Sequence, residues 1–580
     1  VSHRLKNHSI VFLITLCASS ALCGQEAARV AKPLRLDQTI KGTLRPGDSE
    51  GFSVSLAAGD YMQAVIDQLD GWIDVTVYDP TGERVKTVSA NPISAQQRGM
   101  IRVETSELEN VDVIALRDGQ YRIEVRAVGG PKPIVYTISY NEHKRAAERI
   151  LPPVFHADRS PQIAALEKGL KQGNREALAT FWERVKQQGS PLVEPIEDDP
   201  KHMLVTVLWH DAYGVQNVAL HWEPYADLNP EKYAFTRLLD TDLWYLTIQL
   251  PSNARFVYQV SPDDDLIPYD RFSPFDANAR ERHEASSMAD PLNPHHWIQQ
   301  NGDFSVAELP GIPPQPWTEK RADVPAGTLE KTRFKSASLK NEREIAVYTP
   351  PGYSQSHAPY WLAVVFDEPA YIGFVPTPTI LDNLIAAHKI PPMVAVFVDA
   401  IDRDTRRTET TGPLAMVYAD AMSTELISWI RQNYNVTTDP AHTIAGGSSA
   451  NGFASVLMAY RHPDVYGNVL CQSGAFSWEP GTGPGTGKMP GDNPEWLAQH
   501  FASEPKKPIR FFVEAGLFEN TRLGILDSSR HFRDVAIAKG YDIHYQEFAG
   551  GHSYINWRGS MADGLIYLAN PSALTGAKKP

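Results

Sequence analysis

Residues 445–452 read AGGSSANG: two glycines, two adjacent serines, then Ala450, Asn451 and a third glycine. A serine hydroxyl attacks well only when a base takes its proton and backbone donors meet the oxyanion that forms. One way to supply both is to hold the serine on a sharp turn between a strand and a helix. The flanking text has that form. HTIAGG is strand-like, and Phe453, Val456, Leu457 and Tyr460 fall at i, i+3, i+4 and i+7, one face of a helix. The motif G-x-S-x-G is absent, so two registers compete. Ser448 has the small Gly446 and Ala450 two residues to either side, which local sterics slightly favour. Ser449 has Gly447 and Asn451, and Asn tolerates unusual backbone angles.

Enzymes of this kind run Ser, then Asp or Glu, then His along the chain. GGHSY puts His552 in a loop behind the strand-like HYQEF, whereas His462, His531 and His544 lie in helix or strand text. The strand-like IRFFVEAG runs into LFEN, which makes Glu519, just past the strand end, the first candidate for the acid. Glu514 within that strand, Asp527 in a helical stretch and Asp542 before the last strand are reserves.

The elements that must hold these residues change character along the chain. From 327 to 572, runs such as REIAVYTP, YWLAVVFD, PMVAVFVD and IRFFVEAG are almost continuously apolar and alternate with helical text. Strands buried on both faces read this way, so an α/β domain with a mostly parallel central sheet is expected here, and the strand–serine–helix turn with acid and histidine behind it makes the expectation an α/β-hydrolase. From 34 to 145, short alternating runs are separated by PGD, AAGD, DPTG and RDGQ, the turn chemistry of a β-sandwich. Residues 160–300 read as a helical connector, with Ser160 capping and Pro161 at the first helical position, followed by a second β-sandwich. The expected architecture is therefore multidomain, two N-terminal β-sandwiches and then the α/β-hydrolase.

Composition narrows the partners. The 580 residues are 42% hydrophobic and carry a formal charge of -14, which disfavours nucleic acid and anionic membranes. Residues 1–23 place Arg4 and Lys6 before an apolar run from Ile10 to Leu16 and end in small residues, which reads as a signal peptide for export to the periplasm or beyond. With Cys17 and Cys23 in that segment, Cys471 stands alone in the mature chain and no intrachain disulfide is expected. No later stretch is long enough to span a membrane. No cofactor or metal is expected either, since the adjacent His295 and His296 lack a spaced carboxylate or thiol partner.

The stretch GSSANGFASVLMAYRHPDVYGNVLCQSGAFSW resembles the enterochelin (enterobactin) esterase family, whose members read G-S-S-aromatic-G-G-L-A-S and then R-H-P-D-x-F-G-N-V-L-S-Q-S-G. The likeness extends through FDEPAYIGFVPTPTILDNLIAAHKIPPMVAVFVD and VEAGLFENTRLGILDSSRHF, and covers roughly residues 160–570. Counted back without a gap from Arg461, His462, Pro463 and Asp464, the family's nucleophile falls on Ser449. The resemblance implies a serine esterase with Ser449 as nucleophile and His552 as base, while Glu519, named from its place past the strand end, is the acid that would orient the histidine. The oxyanion donors expected of such a fold are the N–H of Ala450, after the nucleophile, and one from the loop after YWLAVVFD, near Glu368; relatives read D-G-E-A-Y there, whereas this chain has Asp367, Glu368, Pro369, Ala370 and Tyr371, and the proline removes an N–H and stiffens the turn. The implied substrate is a small-molecule ester, a catecholate siderophore like the enterobactin trilactone, opened to release iron.

Trp478, Trp557 and Arg558 are candidates to line the pocket, because aromatic rings stack on a flat acyl group and an arginine steadies an anionic one. Two departures bear on this reading. Asn451 replaces a glycine, and DRDTRRTETTGPLAMV does not follow the family's Arg-Ser-x-Glu-Leu text. Feruloyl or acetyl carbohydrate esters, and a catalytically inactive binding protein, are the alternatives. At the N-terminal side, AAGDYMQAVI, DVTVYDPTG and GQYRIEV resemble the bacterial pre-peptidase C-terminal type of β-sandwich.

Overall fold

A computed structural model describes residues 31–570 apart from 69–71, 83, 90–106, 116, 130–131, 146–159, 213, 216, 223–232, 265, 267–286, 300–301, 482–494 and 520–523. The signal read at 1–23 lies outside the described residues. The chain divides into two compact units, the first holding the strands up to Lys144 and the second holding the elements from Pro161 onward.

In the first unit, a five-stranded sheet runs in the order Lys32–Pro33, Ser49–Leu56, Gly119–Gly129, Trp72–Tyr78, Arg84–Ser89. A four-stranded sheet runs Thr39–Leu44, Ile134–Lys144, Tyr61–Gln68, Glu107–Ile114. Alternate residues point inward: Phe52, Val54 and Leu56 from one sheet and Met62, Ala64 and Ile66 from the other belong to one apolar cluster. A period of two along each strand is what half-buried strands require.

The second unit opens with a helix, Pro161–Lys171, whose Ser160 cap accepts from the Ile163 N–H at 3.3 Å, as the sequence pattern indicates. With the helix Ala177–Gln188 it packs through Ile163, Phe181 and Val185 onto Leu208 and Leu243. Two four-stranded sheets follow, Leu192–Ile196, Asp199–His210, Leu243–Pro251, Thr236–Arg237 and Val218–Trp222, Arg255–Pro262, Gly302–Glu308, His296–Gln299. Val207, Leu246 and Ile248 of one and Phe256 and Tyr258 of the other share a core. These two sheets are called the middle module below.

The C-terminal part is built on eight strands: β1 (Thr328–Ser336), β2 (Asn341–Thr349), β3 (Trp361–Phe366), β4 (Met393–Val398), β5 (Thr443–Ser448), β6 (Asn468–Gln472), β7 (Arg510–Gly516) and β8 (Asp542–Phe548). Their order is 1-2-4-3-5-6-7-8. The β1–β2 and β2–β4 pairings are antiparallel and the other five are parallel. Successive residues of β3 serve opposite faces: Leu362, Val364 and Phe366 join one apolar cluster, Ala363 and Val365 the other. Burial on both faces explains the unbroken apolar text of these strands.

Helices α1 (Glu368–Gly373), α2 (Arg403–Thr410), α3 (Ser449–Arg461) and α4 (Tyr554–Ala569) bear on the site. Asp402 caps α2, its carboxylate accepting from the Thr405 N–H at 2.7 Å. One turn apart on α2, Arg406 and Glu409 face two buried partners. Glu409 Oε1 accepts from Arg343 Nη2 of β2 at 2.7 Å, with the arginine side chain fully buried. A second Arg343 nitrogen donates to the Asp399 carbonyl, and the guanidinium lies 5.3 Å from the Tyr418 ring. Removing one partner of such a pair strands the other charge without water. Glu409→Ala is therefore expected to destabilise the protein by about 3–5 kcal/mol, read as a lowered urea midpoint at unchanged slope.

Candidate active site

Ser448 and Ser449 straddle the β5–α3 junction. Ser448 is the last residue of β5, extended at φ -118° and fully buried. Ser449 begins α3 with φ +56° and is partly exposed. A left-handed conformation is strained for a residue with a Cβ, so the neighbours must enforce it. A Cβ at Gly447 would lie 2.9 Å from Asn451 Cβ and 3.0 Å from its carbonyl carbon. At Gly452 it would meet Cys471 Sγ at 3.0 Å and Gly474 Cα at 3.1 Å. The small neighbours that decide the turn are thus Gly447 and Gly452, not the pair around Ser448 that local sterics favoured. Asn451 is buried within α3 against Gly447. Ala475, after β6, ties the turn down by donating to the Ser449 carbonyl at 3.1 Å.

His552 lies between β8 and α4, and its Nδ1 is 2.5 Å from Glu519 Oε1. Both side chains are buried. Glu519 closes a turn after β7, with Oε2 accepting from the Gly516 N–H at 2.6 Å and its own N–H donating to the Gly516 carbonyl at 3.0 Å. Of the other carboxylates weighed for this role, Asp527 lies near Arg530, Asp542 is bound by Arg510 and Tyr567, and Glu514 is held inside the sheet. Ser449, Glu519 and His552 thus follow β5, β7 and β8 at the C-terminal edge of one sheet, where open α/β sheets bind ligands.

The turn after β3 faces the same edge. Asp367 is left-handed at φ +70° and ψ +62°, and Arg406 clamps its carboxylate with two bonds of 2.8 Å. Glu368 begins α1, so its N–H has no acceptor within the helix. Its buried carboxylate meets Lys331 Nζ at 3.1 Å. Hydrogen bonds from Lys331 to Glu344 and Glu368 raise the lysine's pKa. Pro369 falls in the first turn of α1, where its missing N–H would have had no partner, so the proline costs the turn no hydrogen bond. Sequence reading missed Arg406; only its spacing from Glu409, one helical turn, hinted at a shared face.

Residues 336–568 match the family described as "Putative esterase", and residues 204–318 match "Enterochelin esterase, N-terminal". The iron(III) enterobactin esterase of Dickeya dadantii is 29% identical over 426 residues, covering 67% of this chain and 92% of that one. The iron(III) salmochelin esterase of Escherichia coli is 26% identical, covering 70% and 97%. Among solved structures, the enterobactin esterase of Shigella flexneri in the presence of 2,3-dihydroxy-N-benzoyl-serine is 25% identical with a TM-score of 0.52, covering 68% of this chain and 98% of that one. Over both matched segments the chain is similar to the enterochelin esterases. It is a carboxylic ester hydrolase.

In this esterase two of the three residues expected to line the pocket, Trp557 and Arg558, are otherwise engaged. Trp557 is only 2% exposed. Its ring meets His552 edge to face at 4.8 Å, and its Nε1 donates to Ser473 Oγ at 3.0 Å. It braces the imidazole rather than offering a stacking platform. Arg558 donates to Thr318 and Glu319 and lies 5.4 Å from the Trp297 ring of the middle module. Burial lowers its pKa, and these partners hold it at the seam. Trp478 is half-buried against the main core. Among the described residues, no three His, Cys, Asp or Glu side chains are grouped to hold a metal ion.

Beneath the site runs a buried polar chain that the sequence did not announce. Tyr371 donates to Gln472 Oε1 at 2.8 Å, and Gln472 Nε2 reaches Glu514 Oε1 at 3.0 Å and the Trp557 carbonyl at 2.9 Å. Ser560 and Gln546 complete the carboxylate's partners at 2.5 and 3.0 Å. Burial pushes Glu514 up to about 7 from 4.5, against the pull of those hydrogen bonds.

The folded protein therefore holds this proton more tightly than the unfolded chain does. Its contribution is full below the unfolded value and is lost as pH rises through the folded one. Unfolding free energy should fall by about 3 kcal/mol between roughly pH 4.5 and 8, and Glu514→Gln should flatten that slope in urea titrations run at several pH values. Independently, Gly447→Ala should cost about 1–3 kcal/mol, measured by the same titration at one pH.

Proposed function

We propose that this protein is a serine esterase that opens ester bonds of a catecholate siderophore, an enterobactin-like trilactone. Ser449 Oγ attacks the ester carbonyl while His552 takes the hydroxyl proton, and Glu519 holds the imidazole through Nδ1. The backbone N–H groups of Ala450 and Glu368 receive the oxyanion. Collapse breaks the carbon–oxygen bond to the leaving alcohol, which collects the proton from His552 and leaves an acyl-enzyme. A water molecule, deprotonated by the same histidine, then releases the acid and restores Ser449.

The observation that carries this reading is the buried Glu519–His552 pair on the same sheet edge as a serine held left-handed at a strand–helix junction. The substrate class rests on relatives named for iron(III) enterobactin and salmochelin. The basic, then apolar opening of the chain supports export, so the esterase would meet its substrate outside the cytoplasm.

Hydrolysis of p-nitrophenyl esters and of enterobactin should fall by about 10³-fold or more in Ser449→Ala, whereas Ser448→Ala should stay within about tenfold because that side chain is buried. Full activity in Ser449→Ala would end the assignment. Turnover of feruloyl esters without turnover of enterobactin would move the substrate to plant-wall esters. Failure of a fluorophosphonate to label folded wild-type protein would leave a binding protein.

A further inference from the structure

The two loops that carry the acid and the base do not rest on the α/β sheet alone. Ala549, three residues before His552, is buried in the apolar cluster of the middle module, together with Phe256, Leu246 and Leu250. The Ala549 carbonyl accepts from the Arg255 N–H at 2.9 Å. Phe518, next to Glu519, packs on the same cluster, with its ring edge to face with Phe256 at 6.4 Å. The loops are also tied to each other, because the Phe518 N–H donates to the Gly550 carbonyl at 3.0 Å and the Leu517 N–H to the Phe548 carbonyl at 2.8 Å. A Cβ at Gly550 would lie 2.6 Å from the Arg255 carbonyl oxygen, so the backbones run in close contact. Below the site, Gln315 Nε2 donates to the Ile555 carbonyl at 2.8 Å, fastening the start of α4 to the segment that follows the module.

We propose that the middle module is a working part of the catalytic centre: Phe256, Phe518 and Ala549 are positioning residues that fix where the Glu519–His552 pair stands. A hydrogen-bonded pair on two loops keeps its distance when both loops move together, yet its placement against Ser449 is lost. Anchoring each loop in a third, independently packed core removes that freedom. This rests on the roles proposed above for Glu519 and His552.

The test uses the full chain with Phe518→Ala and Phe256→Leu. Turnover of p-nitrophenyl butyrate and amide hydrogen exchange over 516–519 and 549–553 are read together. Both variants should lower kcat by about 10- to 100-fold with KM within about twofold. They should also speed exchange in both loops, while exchange over Val205–Leu208 of the module and Met393–Val398 of β4 stays unchanged. Exchange in the two loops equal to wild type, or kcat within twofold of it, overturns the proposal. Should Phe256→Leu unfold the module, Phe518→Ala decides alone, since Phe518 lies outside the module and is only half-buried. If wild type neither turns over ester nor takes a phosphonate, the catalytic roles fall, and the exchange result still reports on the seam.

Discussion

A carboxylate and an imidazole, both out of water and 2.5 Å apart, make the one contact to which the surrounding structure is fitted. Neither group tolerates burial alone, because a lone charge or an unpaired ring nitrogen in a dry site loses its hydration without return. Glu519 is held by the backbone of its own turn, and His552 by the edge of Trp557. Trp557 is fixed in turn by Ser473 and, through its carbonyl, by Gln472. The pair is thus oriented from the acid side by main chain and from the base side by a packed aromatic ring.

On the serine side the constraint is steric. The chain must leave β5, turn through a left-handed residue and enter α3 within two residues, and Gly447 and Gly452 permit this by allowing backbone and Cys471 to approach. Strain of this kind persists only where packing leaves no alternative. The turn after β3 repeats the device: Asp367 is left-handed and clamped by Arg406, whose helix is pinned by the buried Arg343–Glu409 pair. The family's small glycine is missing there, and a salt bridge supplies the fixed geometry.

Much of the fold is legible in residue pattern. The strands of the C-terminal sheet are unbroken apolar runs because they are covered on both faces, and Ser160–Pro161 marks a helix start by the chemistry of the first turn. What pattern could not resolve was which of four acids meets the histidine. Glu514, Glu519, Asp527 and Asp542 lie within 29 residues of each other on or beside neighbouring strands, and only the turn at Gly516 aims one of them at His552. Pattern likewise marked Trp557 and Arg558 by their types, yet a tryptophan that braces a ring and one that stacks on a ligand have the same sequence signal.

By itself the sequence determined the kinds of element, the order serine, acid, histidine, and the candidate residues, because those depend on local periodicity and on side-chain chemistry that each residue carries with it. The count from Arg461 and the strand end at Gly516 had already pointed to Ser449 and Glu519; tertiary structure added the left-handed turn at Ser449, the contact between Glu519 and His552, and the reach of the middle module to the loops that carry that pair. Those are matters of distance between residues far apart in the chain, and distance is set by how whole layers pack.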